Sequence, residues 1–182
     1  MDDLKLYARN KKEADALIST TQIYSKDICM EFGISKCAHI TLQRGKVVSE
    51  GGLEILDGQC IDEVDGEKGY KYLGILEAND IKHEQMKDKI TKEYVKRVKK
   101  IASSKLNSGN TIDAINSRAV SLVRYGAGIV DWTKEELKKI DRKTRKILTM
   151  NRMLHPQSDV DRLYIPRKEG GRGLLGVRLR AD

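Results

Sequence analysis

Hydrophobic and polar residues follow two different rhythms along this chain. Leu4, Lys5, Leu6, Tyr7 and Ala8 alternate, which predicts a short strand. From Lys11 to about Glu31 the apolar positions are Ala14, Leu17, Ile18, Thr21, Tyr24 and Ile28, a helical spacing with one buried face. "FGIS" then interrupts, with Gly33 the expected C-terminal cap. Short apolar runs separated by turn pairs follow. Arg44-Gly45 divides "KCAHITLQRGKVV" into two strands, and Asp57-Gly58 does the same for "GLEILDGQCIDEV". "YKYLGILE" gives further strand after Gly69.

Near Ala78 the rhythm becomes helical and stays so. Met86, Ile90, Tyr94, Val98 and Ile101 mark one face of a helix over His83 to Leu106. "NSGN" ends it. Thr111 to Val130 is apolar on most sides, so it is the expected buried helix of a bundle. Thr133 followed by Glu136 predicts a capping box opening a third helix, with Leu137, Ile140, Ile147 and Leu148 on one face. The expected core is Ile90, Val98, Ile115, Leu122, Leu137 and Ile147. From His155 the chain holds both prolines and "EGGRGLLG", and reads as irregular with a few short elements. Strands first and helices afterwards predict an α+β fold.

Charge sharpens this division. Residues 1–80 carry 10 Lys and Arg against 15 Asp and Glu, whereas residues 81–182 carry 25 against 12. A basic half of that size is the electrostatic footprint of a polyanion partner. A solvated lysine-rich helix surface would give the same count. Cys29, Cys37 and Cys60 form no paired motif, and Cys37 with His39 lacks a second ligand pair at zinc spacing. A reducing, intracellular compartment is therefore expected. The first residues do not read as a signal peptide, and no stretch has the apolar length of a membrane span.

Several short motifs, taken in order, resemble one family. "MDD" resembles the aromatic-x-Asp-Asp box of reverse transcriptases without its leading aromatic. "FGISKC" (32–37) is similar to the following motif, a helix, a glycine and then a lysine. "YKYLGI" (70–75) resembles the primer-grip hairpin, the basic helices resemble the thumb, and "LYIPRKEGGRGL" (163–174) resembles the segment after the thumb in non-long-terminal-repeat retrotransposon enzymes. The resemblance implies an RNA-directed DNA polymerase, a nucleotidyltransferase. On that basis the expected architecture is a partial palm of β-hairpins plus one helix (1–80), a three-helix thumb (81–150) and an irregular linker (151–182).

Adjacent carboxylates suit that chemistry. Two-metal nucleotidyl transfer needs divalent cations about 3.5–4 Å apart, held by hard oxygen ligands. The resemblance implies that Asp2 and Asp3 hold Mg²⁺, with Asp2 the direct ligand, and that Lys36 stabilises charge on the departing pyrophosphate. Tyr72, Leu73 and Gly74 would grip the primer, Gly74 by allowing close approach of the backbone. Lys92, Lys96, Arg97, Lys99 and Lys100 would face the duplex. The implied partners are an RNA template, a DNA primer and deoxynucleotides, with no membrane and no small-molecule cofactor. A further aspartate and the nucleotide-binding fingers belong before the Asp-Asp box in that family. The expectation is thus a palm and thumb fragment that does not polymerise by itself. The alternative is a non-catalytic basic nucleic-acid-binding protein derived from a retroelement.

Overall fold

The computed structural model describes residues 4–30, 33–49, 51–55, 58–64, 69–77 and 80–177. It combines helices with antiparallel hairpins, an α+β arrangement, and divides into two compact units, 1–82 and 83–182.

The first unit holds helix α1 (Lys11–Asp27) and three separate two-stranded hairpins: β1 (Leu42–Gln43) with β2 (Lys46–Val47), β3 (Leu53–Glu54) with β4 (Cys60–Ile61), and β5 (Tyr70–Tyr72) with β6 (Ile75–Glu77). Asn10 caps α1, its side-chain oxygen accepting from the Glu13 amide at 2.9 Å. The helix ends earlier than expected, and not at Gly33. Cys29 takes the left-handed conformation (φ 56°), its amide donates to Lys26 O, and the Met30 amide donates to Ser25 O. That is a Schellman ending with cysteine where glycine is usual. Gly33 instead precedes a 3₁₀ turn, Ile34–Lys36. The expected buried face of α1 is only half-covered among the described residues, for Tyr24 and Ile28 are exposed and Gln22 is the buried residue.

Leu4–Ala8 is not a strand. A strand exists by its ladder, and these residues pair with none of the described strands. The segment is held by a side chain instead. Lys5 Nζ lies 2.5 Å from Glu77 Oε2 and 5.1 Å from the centroid of the Tyr72 ring.

The second unit is built on three helical stretches. They are α2 (His83–Ala102), a continuous stretch of α3 (Ser108–Ile115), a π-helical turn (Asn116–Val120) and α4 (Ser121–Ala127), and finally α5 (Lys134–Met150). Thr133 and Glu136 form the capping box at the start of α5. Contacts set the directions. Lys87 meets Glu136 and Tyr94 meets Thr144, so α2 and α5 run parallel. Arg97 donates to Arg118 O and His83 Nδ1 accepts from the Asp131 amide, so the stretch between them runs antiparallel to α2. A Cβ placed on Gly126 would lie 2.6 Å from Ile90 Cδ1, so glycine lets these two helices close up.

The core holds Ile90, Tyr94, Val98, Ile115, Ala119, Val120, Val123, Ile140, Ile147 and Leu148. Two expected members are displaced. Leu122 and Leu137 are only half-buried, and Val123, next to Leu122, is the buried residue. Helical spacing carries the buried stripe from Ile112 and Ile115 through Ala119 to Val123 and Gly126, which leaves Leu122 at its edge.

The tail is stitched to the helices. Short helix α6 (Asp161–Tyr164) and a 3₁₀ turn (Arg167–Glu169) are its regular elements. Asn116 donates to Gly173 O and accepts from the Leu175 amide, both at 2.8 Å. Asp141 Oδ1 accepts from the Val177 amide, and Arg167 donates to Gly109 O. Leu163, Leu174 and Val177 are buried. A Cβ on Gly171 would overlap the Ile165 carbonyl, which explains a glycine there.

One buried polar pair makes stability pH-dependent. Tyr94 is 1% exposed and its hydroxyl lies 2.8 Å from Thr144 Oγ1. Burial, ahead of the weaker effects of Thr144 and Asp141, holds its phenol well above the usual tyrosine range. The folded pKa is raised, so the unfolded chain loses this proton first. This contribution is complete below the unfolded value near ~10 and declines at about 1.4 kcal/mol per pH unit above it. Tyr94→Phe is expected to flatten the alkaline limb of a urea-unfolding series by that amount. An unchanged alkaline slope would contradict the burial of this phenol.

Candidate nucleic-acid interface

The expected site residues fall into two sets, one in each unit. In the first unit, Tyr72 ends β5, and Leu73 and Gly74 form the turn to β6 with φ of 47° and 87°. Two central residues with positive φ make a type I′ turn, which matches the twist of the strands it joins. The register is Tyr72 with Ile75, Lys71 with Leu76 and Tyr70 with Glu77. Gly74 does not serve close approach here, because a Cβ on it would meet nothing within 4 Å. Its positive φ is what glycine supplies. The hairpin carries the motif lysine's backbone, since the Tyr70 hydroxyl donates to Lys36 O at 2.5 Å. Lys36 closes the 3₁₀ turn and is exposed. Sequence reasoning did not single out Lys5, whose ammonium sits beside Tyr72 and is held above its ordinary pKa, chiefly by the hydrogen bond to Glu77.

Asp2 and Asp3 lie outside the described residues. Among the described residues no three His, Cys, Asp or Glu side chains converge as metal ligands. Cys29, Cys37 and Cys60 are free thiols, and burial pushes that of Cys37 up.

In the second unit the α2 cations are arranged by the packing of the opposite face. Met86, Ile90, Tyr94, Val98 and Ala102 are buried. Lys92 and Lys96 each stand two residues from Tyr94, about 200° round the helix, and so project away from the core. Lys99 lies about 20° to the far side of Lys92 and Lys100 about 40° beyond Lys96, and Lys92, Lys96, Lys99 and Lys100 are all exposed. Their three- and four-residue spacing forms one row along the helix. Arg97 differs from the other expected contacts. It is half-buried, pairs with Glu93 at 2.9 Å and donates to Arg118 O at 2.8 Å. Its guanidinium joins α2 to the neighbouring helical stretch.

A second cationic row was missed by sequence reasoning. On α5, Lys139, Arg142, Lys143 and Lys146 are exposed. Arg142 and Lys146 each lie two residues from Thr144, the residue that faces Tyr94. The α5 row thus points away from α2, just as the α2 row points away from α5. The spacing of these four residues was a sufficient signal for it. Among the described residues no helix is long and apolar enough to cross a membrane.

No protein family, curated protein or solved structure matches this chain.

Proposed function

We propose that this chain supplies the late palm and thumb of an RNA-directed DNA polymerase of the non-long-terminal-repeat retrotransposon type, and that its helical unit holds the RNA–DNA duplex. The observation carrying this reading is the row of Lys92, Lys96, Lys99 and Lys100, exposed on the side of α2 opposite its buried stripe. A band of ammonium groups along one side of a helix can follow a phosphate backbone without reading sequence. The type I′ turn at Leu73-Gly74, in the segment that resembles the primer grip, is consistent with the same reading. Lys36 and the Asp2-Asp3 pair belong to it through the resemblance alone, as does Mg²⁺.

Salt tests the proposal. Log affinity of the full chain for an RNA–DNA hybrid is expected to fall linearly with log salt. Lys96→Ala and Lys99→Ala should each reduce that slope by about one contact. Both residues are exposed, so folding should be unaffected. A wild-type slope near zero, or one that neither substitution moves, would refute duplex binding by this face.

A further inference from the structure

The tail does more than close the helical unit. Between α5 and residues 160–176 it leaves a shallow, open cleft of about 590 Å³. Lys138, Arg142 and Arg145 line its α5 side together with the Asp141 carboxylate, which is held by the Val177 amide, while Asp161, Tyr164, Leu175 and Gly176 line the other. These groups are of two kinds, side by side. Arg145 donates to the Tyr164 hydroxyl at 3.0 Å, which fixes the phenol ring at the wall. A Cβ on Gly176 would stand 3.6 Å from that ring, so the absence of a side chain there keeps this part of the cleft open. Arg142 is exposed. Lys138 pairs with Glu135 and Arg145 is held on Tyr164, so Arg142 is the cation that, beside the aromatic and apolar wall, suits a ligand with an anionic part and a flat apolar part.

We propose that this cleft binds unpaired nucleic acid, one base lodging against Tyr164 and Leu175 and the adjoining phosphate on Arg142. The surroundings of Arg142 favour a strand over a free nucleotide. Lys139 and Lys146 lie three residues before and four residues after it, both exposed. They continue the cationic track beyond the cleft, where a mononucleotide would have nothing to place. Stacking with a cationic groove is the usual means of holding single strands without sequence preference. The site is separate from the α2 row, because the two rows point in opposite directions. It extends the proposed duplex-holding role by giving that unit a place for unpaired strand, and it can be tested independently of that role.

The full chain is titrated with single-stranded oligodeoxythymidylate, with oligouridylate and with a blunt RNA–DNA hybrid. Arg142→Ala and Gly176→Leu are compared with Lys96→Ala. Arg142→Ala removes the cation. Gly176→Leu fills the cleft at a position that has no left-handed φ. Each is expected to weaken binding of at least one single strand by about fivefold or more, the low end of one base's stacking contribution, and to leave hybrid affinity unchanged. Lys96→Ala should do the reverse. The oligonucleotide that responds distinguishes DNA from RNA as the occupant. If neither single strand binds, or if Gly176→Leu has no effect, the cleft is not the site. If every variant weakens every probe alike, one diffuse polyanion surface replaces it. Single-strand binding that depends on Arg142 and Gly176, without hybrid binding, would support the cleft and refute the duplex proposal.

Discussion

Val123→Asp is expected to unfold the helical unit. Val123 lies on α4 and is 1% exposed, in the same core as Ile90, Val98 and Ile115. A carboxylate there would lose its hydration without gaining a cation, or would take up a proton at comparable cost. Either outcome removes several kcal/mol, a large share of the roughly 5–15 kcal/mol that stabilises a domain. Leu122→Asp is the informative comparison. Leu122 is only half-buried, so its new carboxylate can reach water and the loss should be clearly smaller. Circular dichroism and thermal melting of both variants in the full chain check the packing. If Val123→Asp melts like the wild type, or if Leu122→Asp is the more damaging, the packing assigned to α4 is wrong.

That pair also marks where sequence periodicity stops being informative. Apolar spacing located the helical stretches because a buried face recurs every three or four residues. It resolves such a face only to about one residue, and it placed Leu122 in the core although Leu122 lies at the edge of the stripe that Ala119 and Val123 continue. Turn chemistry was legible for a similar reason. Arg44-Gly45 adopts the positive φ values of a two-residue hairpin, and Thr133 with Glu136 satisfies the first amides of α5. Leu73-Gly74 does so inside a run whose pattern reads as one strand, and only the resemblance marked a hairpin there. The end of α1 was not legible, because cysteine seldom takes the left-handed position that Cys29 occupies. Leu4–Ala8 shows the limit of alternation, which describes a face and does not supply a partner strand. The anchoring of the tail was also hidden. Asn116 reaches Gly173, Asp141 reaches Val177 and Arg167 reaches Gly109, and such long-range bonds leave no local pattern. For the candidate interface, the resemblance grouped Lys92, Lys96, Lys99 and Lys100 with Arg97. Helical spacing sets Arg97 apart, for three residues from Tyr94 it lies about 60° from the middle of the buried stripe, and its partners are Glu93 and a carbonyl on a neighbouring helical stretch.

Reversing three charges on α2 is expected to have a much larger effect on duplex binding than reversing three on α5. The helical half carries enough cations for either row to attract a polyanion, so net charge alone predicts equal losses. Geometry predicts unequal ones. A rigid duplex seated along Lys92, Lys96 and Lys99 cannot also lie along Lys139, Lys143 and Lys146, because the parallel helices α2 and α5 turn these rows away from one another. Combining Lys92→Glu, Lys96→Glu and Lys99→Glu removes about three phosphate contacts. The salt slope should fall by roughly 2.7, at about 0.9 per contact for a B-form duplex. The carboxylates then repel the same phosphates, so hybrid binding at moderate salt should be lost. Combining Lys139→Glu, Lys143→Glu and Lys146→Glu changes net charge equally. It should leave the slope nearly intact and lower hybrid affinity only through the long-range field, an effect that salt screens. All six positions are exposed, so circular dichroism should report the same fold for both triple variants. Equal losses in slope would mean that the duplex is held by a diffuse cationic cloud. A loss confined to the α5 variant would move the duplex to that helix and overturn the α2 assignment.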